Sequence, residues 1–238
     1  MNDVKVARDF MRRNLVTLSP QTNVLDGVMM LLRDNISGAP VIDDGRNYLG
    51  VFSEKGSMKA MTESVEVASR LGINAPLAGE FMKRDLITLG KDDDVFQAID
   101  HILGKRISGA PVLDHNGAFL GIFSEKTAMK VLVAAMYDQI PGTIVGAYMN
   151  LDRNRIISCQ DTLISVAHKF QETPYRRLPI LDGARLAGQV SRRDVLRAEH
   201  PIAVEVADRA RRGVSDSALC GSIDQRDVGT YTDRAALT

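Results

Sequence analysis

The sequence predicts an α/β fold made of three copies of one β-α-β-β-α unit. Three observations carry that expectation. The hexapeptide ISGAPV at residues 36–41 recurs at residues 107–112, a distance of 71. Each copy then runs into nearly the same text, LGVFSEK at 49–55 and LGIFSEK at 120–126. A third, altered version, RLPILD followed by LAGQVSRRD, begins at Arg177. Residues 10–61 align with 81–132 without a gap, and 23 of 52 positions are identical. A fixed period of this kind marks a repeated structural unit.

Each unit reads the same way. A short apolar strand opens it, at 15–18, 86–89 and 155–158. Helix-capping residues follow: Thr22 and Asn23, then Asp92 to Asp94, then Asp161 and Thr162. The helices behind them carry one apolar face: Val24, Val28, Leu31 and Leu32; Val95, Ile99, Ile102 and Leu103; Ile164, Ala167 and Phe170. Two strands come next, at 39–42 and 48–52 in the first unit and at 178–181 and 186–190 in the third. Turn dipeptides join them: Asp44-Gly45, Asn116-Gly117 and Asp182-Gly183. A second helix starts at the serine of SEK or SRR. The organisation expected is a first repeat over 1–66, a second with its connector over 67–138, a third over 139–200, and a short helix with a disordered tail over 201–238. One unit is too small to cover its own sheet. The constant spacing suggests that repeats 1 and 2 pack as a tandem pair. The third is then left with an apolar sheet face, for which a two-fold contact in a homodimer is the simplest cover.

Bulk properties exclude several classes. Lysine plus arginine equal aspartate plus glutamate, at 30 each, so there is no basic surplus for nucleic acid or an anionic membrane. The longest apolar run, residues 131–136, is far too short to span a bilayer. The first ten residues lack the apolar centre of a secretory signal. Cys159 and Cys220 fall in no metal or redox spacing, which suits reduced thiols and a cytoplasmic setting. Asp92 to Asp94 is better explained as a negatively charged helix start than as a cation site. No phosphate loop, nucleophile elbow or catalytic cysteine context is present, so the chain reads as non-catalytic, with no required cofactor and no metal.

The phrases G-A-P-V-x-D and L-G-x-x-S in a tandem β-α-β-β-α unit resemble the CBS domain, over roughly residues 4–200. That resemblance implies a regulatory protein binding an adenosine-type ligand, such as AMP, ADP, ATP or S-adenosylmethionine, in clefts between repeats, and modulating a protein partner. Ser191 and Asp194 match the family's S/T-x-x-D, with Asp194 toward ribose, Ser191 and the helix start toward phosphate, and Arg192 or Arg193 supplying charge. The same four residues also fit a capping box that needs no ligand. Arg177, Pro179 and Ser158 complete the third repeat's set. The matching positions elsewhere are Thr17, Gly38, Ala39, Pro40 and Ser53, and Thr88, Gly109, Ala110, Pro111, Ser124 and Thr127. In repeats 1 and 2 Gly56 and Thr127 stand where the aspartate belongs, which favours the alternative of a structural interaction module with vestigial clefts.

Overall fold

A computed structural model describes residues 5–137 and 143–212 of the chain. The tail expected over 213–238 lies outside the described residues. Repeat 1 comprises α1 (Ala7–Phe10), α2 (Val24–Arg33), β1 (Gly38–Ile42), β2 (Tyr48–Ser53) and α3 (Glu54–Arg70). Repeat 2 comprises α4 (Ala78–Phe81), β3 (Leu89–Gly90), α5 (Val95–Gly104), β4 (Gly109–Leu113), β5 (Phe119–Ser124) and α6 (Glu125–Met136). Repeat 3 opens with two 3-10 turns, Val145–Ala147 and Arg153–Arg155. It continues through α7 (Leu163–Glu172), β6 (Arg177–Asp182), β7 (Arg185–Ser191) and α8 (Arg192–Arg211).

Local chemistry sets these boundaries. The side chains of Asn23, Asp94 and Thr162 accept backbone N–H bonds at the starts of α2, α5 and α7. Ser53, Ser124 and Ser191 do the same for α3, α6 and α8. Each hairpin is antiparallel, and Gly117 and Gly183 take up positive φ at its turn in repeats 2 and 3.

The opening strands are shorter than the sequence suggests. Leu18 alone pairs with Val41, and Ile157 alone with Ile180; only Leu89–Gly90 makes a two-residue strand. Apolar character at Leu15 and Val16 signals a strand, but both side chains are exposed and have no sheet to lie on. In the third repeat, residues 153–155 form a turn instead, with the Arg155 guanidinium over the Tyr175 ring.

The mixed α/β class stands, but the pairing differs from the expected one. One core joins repeats 1 and 3: Val28, Met58, Met61 and Val65 meet Val166, Phe170, Val195 and Leu196. A second core lies in repeat 2, around Val95, Ile102, Val112 and Phe123, and takes in Val145 from the start of repeat 3; a small third cluster, Leu18, Leu31 and Ala39, lies in repeat 1. Repeats 1 and 2 therefore do not form the pair. Repeat 1 packs its helices on those of repeat 3, and repeat 3 turns its sheet toward repeat 2. The sheet that the sequence offers to a two-fold contact is mostly buried within the chain. The last helix of repeat 3 does not break at the expected boundary near residue 200. It runs through Pro201 to Arg211, because Ile202 and Ala203 continue the buried face.

Candidate functional site

The cleft between repeats 2 and 3 is framed by a reciprocal exchange of backbone. The segment leading into repeat 2 lies on β7: the Lys83 N–H donates to Gln189 O at 2.9 Å, and the Gln189 N–H donates to Lys83 O at 2.9 Å. The segment leading into repeat 3 lies on β5 in the same way. The Asn150 N–H donates to Ile122 O at 2.8 Å, and the Ile122 N–H donates to Asn150 O at 3.0 Å. A glycine precedes each receiving residue because the visitor comes so close. A Cβ on Gly121 would stand 2.6 Å from Asn150 O, and one on Gly188 would stand 2.5 Å from Met82 Sδ.

Ser191 and Asp194 sit where this exchange meets the start of α8. They form the capping box. Asp194 Oδ2 accepts from the Ser191 N–H at 2.9 Å and from its hydroxyl at 2.6 Å, while Ser191 Oγ accepts from the Asp194 N–H. The other carboxylate oxygen faces two cations, Arg197 at 3.2 Å and Lys83 at 3.8 Å. Asp194 is buried, whereas Lys83 and Arg197 are exposed at the rim. An open groove of about 580 Å³ starts here, bordered by Asp194, Arg197, Glu80 and Phe81. Deeper between the repeats, Arg177 Nε donates to Ser108 Oγ at 3.0 Å. Burial pulls the Arg177 pKa below its usual value, and the charges of Asp194, Glu125 and Glu54 work against that shift. At the edge Arg176 lies 3.7 Å from Glu125. Lys83, Ser108 and Arg197 are the members that the sequence reading misses. Lys83 and Ser108 belong to a different repeat from Asp194, so only the pairing reveals them.

The remaining expected residues are dispersed. Arg193 donates to Glu54 Oε1 at 3.0 Å and also bonds Asn35, which ties it to repeat 1 rather than to the cleft. Pro179 is buried opposite Gln189 in the β6–β7 ladder. Ser158 is exposed, its hydroxyl accepting from the Gln160 N–H at a turn. Thr17 and Thr88 are exposed beside the opening strands. Gly38, Ala39 and Pro40, and Gly109, Ala110 and Pro111, line up in β1 and β4. Gly109 has φ +152° and lies so close to β5 that a Cβ would meet Phe123 O at 2.7 Å. Ser53 caps α3, and the Ser124 hydroxyl lies 3.0 Å from that of Thr127. Among the described residues no cluster of histidine, cysteine and carboxylate side chains is placed to hold a metal. No helix among them is long and apolar enough to cross a membrane.

A repeated β-α-β-β-α unit exchanging lead-in strands across a cleft defines a class of tandem-repeat module, and comparison identifies its family. The model of the CBS domain matches residues 7–56, 78–134 and 152–201, and the chain belongs to that family. The uncharacterized protein MJ1225 of Methanocaldococcus jannaschii is 23% identical over 205 residues, covering 82% of this chain and 71% of the relative. Its crystal structure, described as that of an archaeal homologue of the AMPK γ subunit, superposes with a TM-score of 0.67 at 19% identity, covering 80% of this chain and 69% of that one. The human 5'-AMP-activated protein kinase subunit gamma-3 is 25% identical over 200 residues, which is 77% of this chain but 40% of the subunit.

Proposed function

We propose that the cleft between repeats 2 and 3 binds an adenosine-containing ligand of the AMP, ADP, ATP or S-adenosylmethionine type, and that its occupancy modulates a protein partner without a catalytic step. The observation that carries this reading is the division of labour at Asp194. One oxygen is fixed by the helix cap, which leaves the other for ribose hydroxyls. Lys83 and Arg197, now spent on that second oxygen, are cations that a phosphate can recruit. Arg177 adds a half-buried positive charge inside the cleft. The family assignment and the similarity to a subunit of an AMP-activated kinase support the same ligand class. The proposal keeps the cytoplasmic setting expected from the sequence.

The test is a thermal-shift panel of AMP, ADP, ATP, NAD and S-adenosylmethionine, followed by calorimetry. A ligand that binds only the folded state raises Tm. Asp194→Asn, which keeps an acceptor for the cap, is expected to weaken binding about tenfold or more, as is Lys83→Ala. No shift with any of the five compounds, or affinity unchanged in both variants, would overturn the proposal. It would favour the second reading, a structural interaction module. That reading has its own support: the cap and two ion pairs already satisfy Asp194, and Gly56 and Thr127 leave repeats 1 and 2 without an equivalent.

A further inference from the structure

Position 189 breaks a pattern that the other two repeats keep. The residue after the glycine of each hairpin's second strand is Val51 in repeat 1 and Ile122 in repeat 2, but Gln189 in repeat 3. Ile122 and Gln189 are equally sealed, at 3% and 4% exposed. An isoleucine loses nothing by that. Gln189 Oε1, however, is buried with no hydrogen-bond donor. A sealed amide oxygen without a donor is costly, and folded proteins keep few of them.

The fold turns this amide toward the cleft. Alternation along β6 and β7 sends Leu178, Ile180 and Val190 into the core beneath the helices. Arg177, Pro179, Gln189 and Ser191 therefore share the opposite face. That face looks at repeat 2, because Arg177 Nε reaches Ser108 Oγ from it at 3.0 Å. The main chain of Gln189 is fully used, its N–H and C=O both exchanged with Lys83. The neighbours on its face have no donor to lend. Pro179, directly across the ladder, lacks an N–H, and the Ser191 hydroxyl is committed to Asp194 Oδ2 at 2.6 Å.

Ser191 lies two strand residues beyond Gln189 on the same face, about 7 Å away, and Asp194 Oδ2 holds its N–H at 2.9 Å. A base attached to a ribose on the other Asp194 oxygen can thus reach position 189 along the strand. The exocyclic amine of adenine is the donor that Oε1 lacks. The amide NH2 can then donate to the adjacent ring nitrogen, the match by which glutamine reads adenine in DNA. An apolar residue such as Ile122 can hold a purine ring but discriminates weakly between ring substituents. Taking the adenosine-type ligand of the cleft as given, we propose that Gln189 is its base-selecting residue. It accepts the exocyclic amine through Oε1 and so prefers aminopurine nucleosides to those without the amine.

The experiment compares adenosine, the part that every ligand of that class shares, with purine riboside, which lacks only the amine. Calorimetry on the full chain is expected to show adenosine binding about tenfold or more tightly. Gln189→Met keeps the length of the side chain and removes the amide. It should weaken adenosine by that factor, change purine riboside by less than about twofold, and so erase the preference. The Tm of Gln189→Met without ligand should equal or exceed that of the parent, because an orphaned acceptor has gone. A parent that binds neither nucleoside overturns this proposal together with the ligand class on which it rests. A parent that binds both equally, or a Gln189→Met that still prefers adenosine, overturns the role of Gln189 alone. So does a clear fall in the Tm of Gln189→Met, which would show that the amide serves the fold.

Discussion

One glycine position, occupied three times, has two kinds of environment, and only the pairing tells them apart. Gly121 and Gly188 lie under a visiting strand, while Gly50 faces open space. Gly121→Ala is therefore expected to destabilise the protein by about 1–3 kcal/mol through overpacking, and Gly50→Ala to change stability by less than about 0.5 kcal/mol; urea denaturation of the two variants checks the contrast. Glu199 gives a second test. It is fully buried between α3 and α8, and burial raises its pKa from 4.5 to about 8. Thr62 Oγ1 lies 2.8 Å from both Met58 O and Glu199 Oε1, with Gln171 Nε2 donating to it at 3.0 Å. One hydroxyl proton cannot serve both oxygens, so a protonated Glu199 that donates to Thr62 resolves the network. The folded chain then holds this proton through neutral pH, while the unfolded chain releases it above about pH 4.5. Stability from the group is complete below pH 4.5, declines as pH rises, and is lost beyond pH 8. Glu199→Gln should leave Tm nearly unchanged at pH 4 and raise it by several degrees at pH 8, as thermal unfolding at the two pH values would show. The capping role of Ser191 and Asp194 was legible in the sequence because a cap is local. The Lys83 contact of Asp194 was not, because it depends on where the chain returns; the Arg197 contact is an i, i+3 pair on the same helix and was open to a local reading.

The same division holds for whole elements. Second helices begin at Ser53, Ser124 and Ser191, where a serine followed by polar residues announces an N-terminus. Hairpins follow their Asp-Gly and Asn-Gly turns. The opening strands shrank to bridges because a strand is defined by its neighbour, and a run such as Leu15 to Leu18 shows only that it would accept one. Helix α8 errs in the opposite direction. Pro201 reads as a stop, but the burial of Ile202 and Ala203 carries the helix past it. Pro201 is exposed and its ring cannot donate to the preceding turn. Pro201→Ala is expected to stabilise the protein by about 1–3 kcal/mol, reduced by the greater freedom of the unfolded chain. An unchanged urea midpoint would show that the helix has already relaxed around the ring.

At the scale of the molecule, the sequence showed three units but not who packs against whom, since near-identical repeats carry near-identical faces. The two larger cores divide the protein differently from the chain: one unites repeats 1 and 3, the other centres on repeat 2. Hydrogen exchange should therefore find α3 and α8 protected to the same degree and opening together, with α5 and β4 forming a separate unit. Equal opening of α3 and α6 would contradict that division. The contact between α3 and α8 also bears on synthesis. Thr62 and Glu199 are 137 residues apart. At the usual elongation rates α8 leaves the ribosome roughly 7–27 s after α3. Throughout that interval Met58, Met61 and Val65 have no cover from repeat 3. The unit made first is thus the last to be completed, and the newborn chain is most vulnerable to aggregation while its second repeat, which offers repeat 1 no shelter, is being translated.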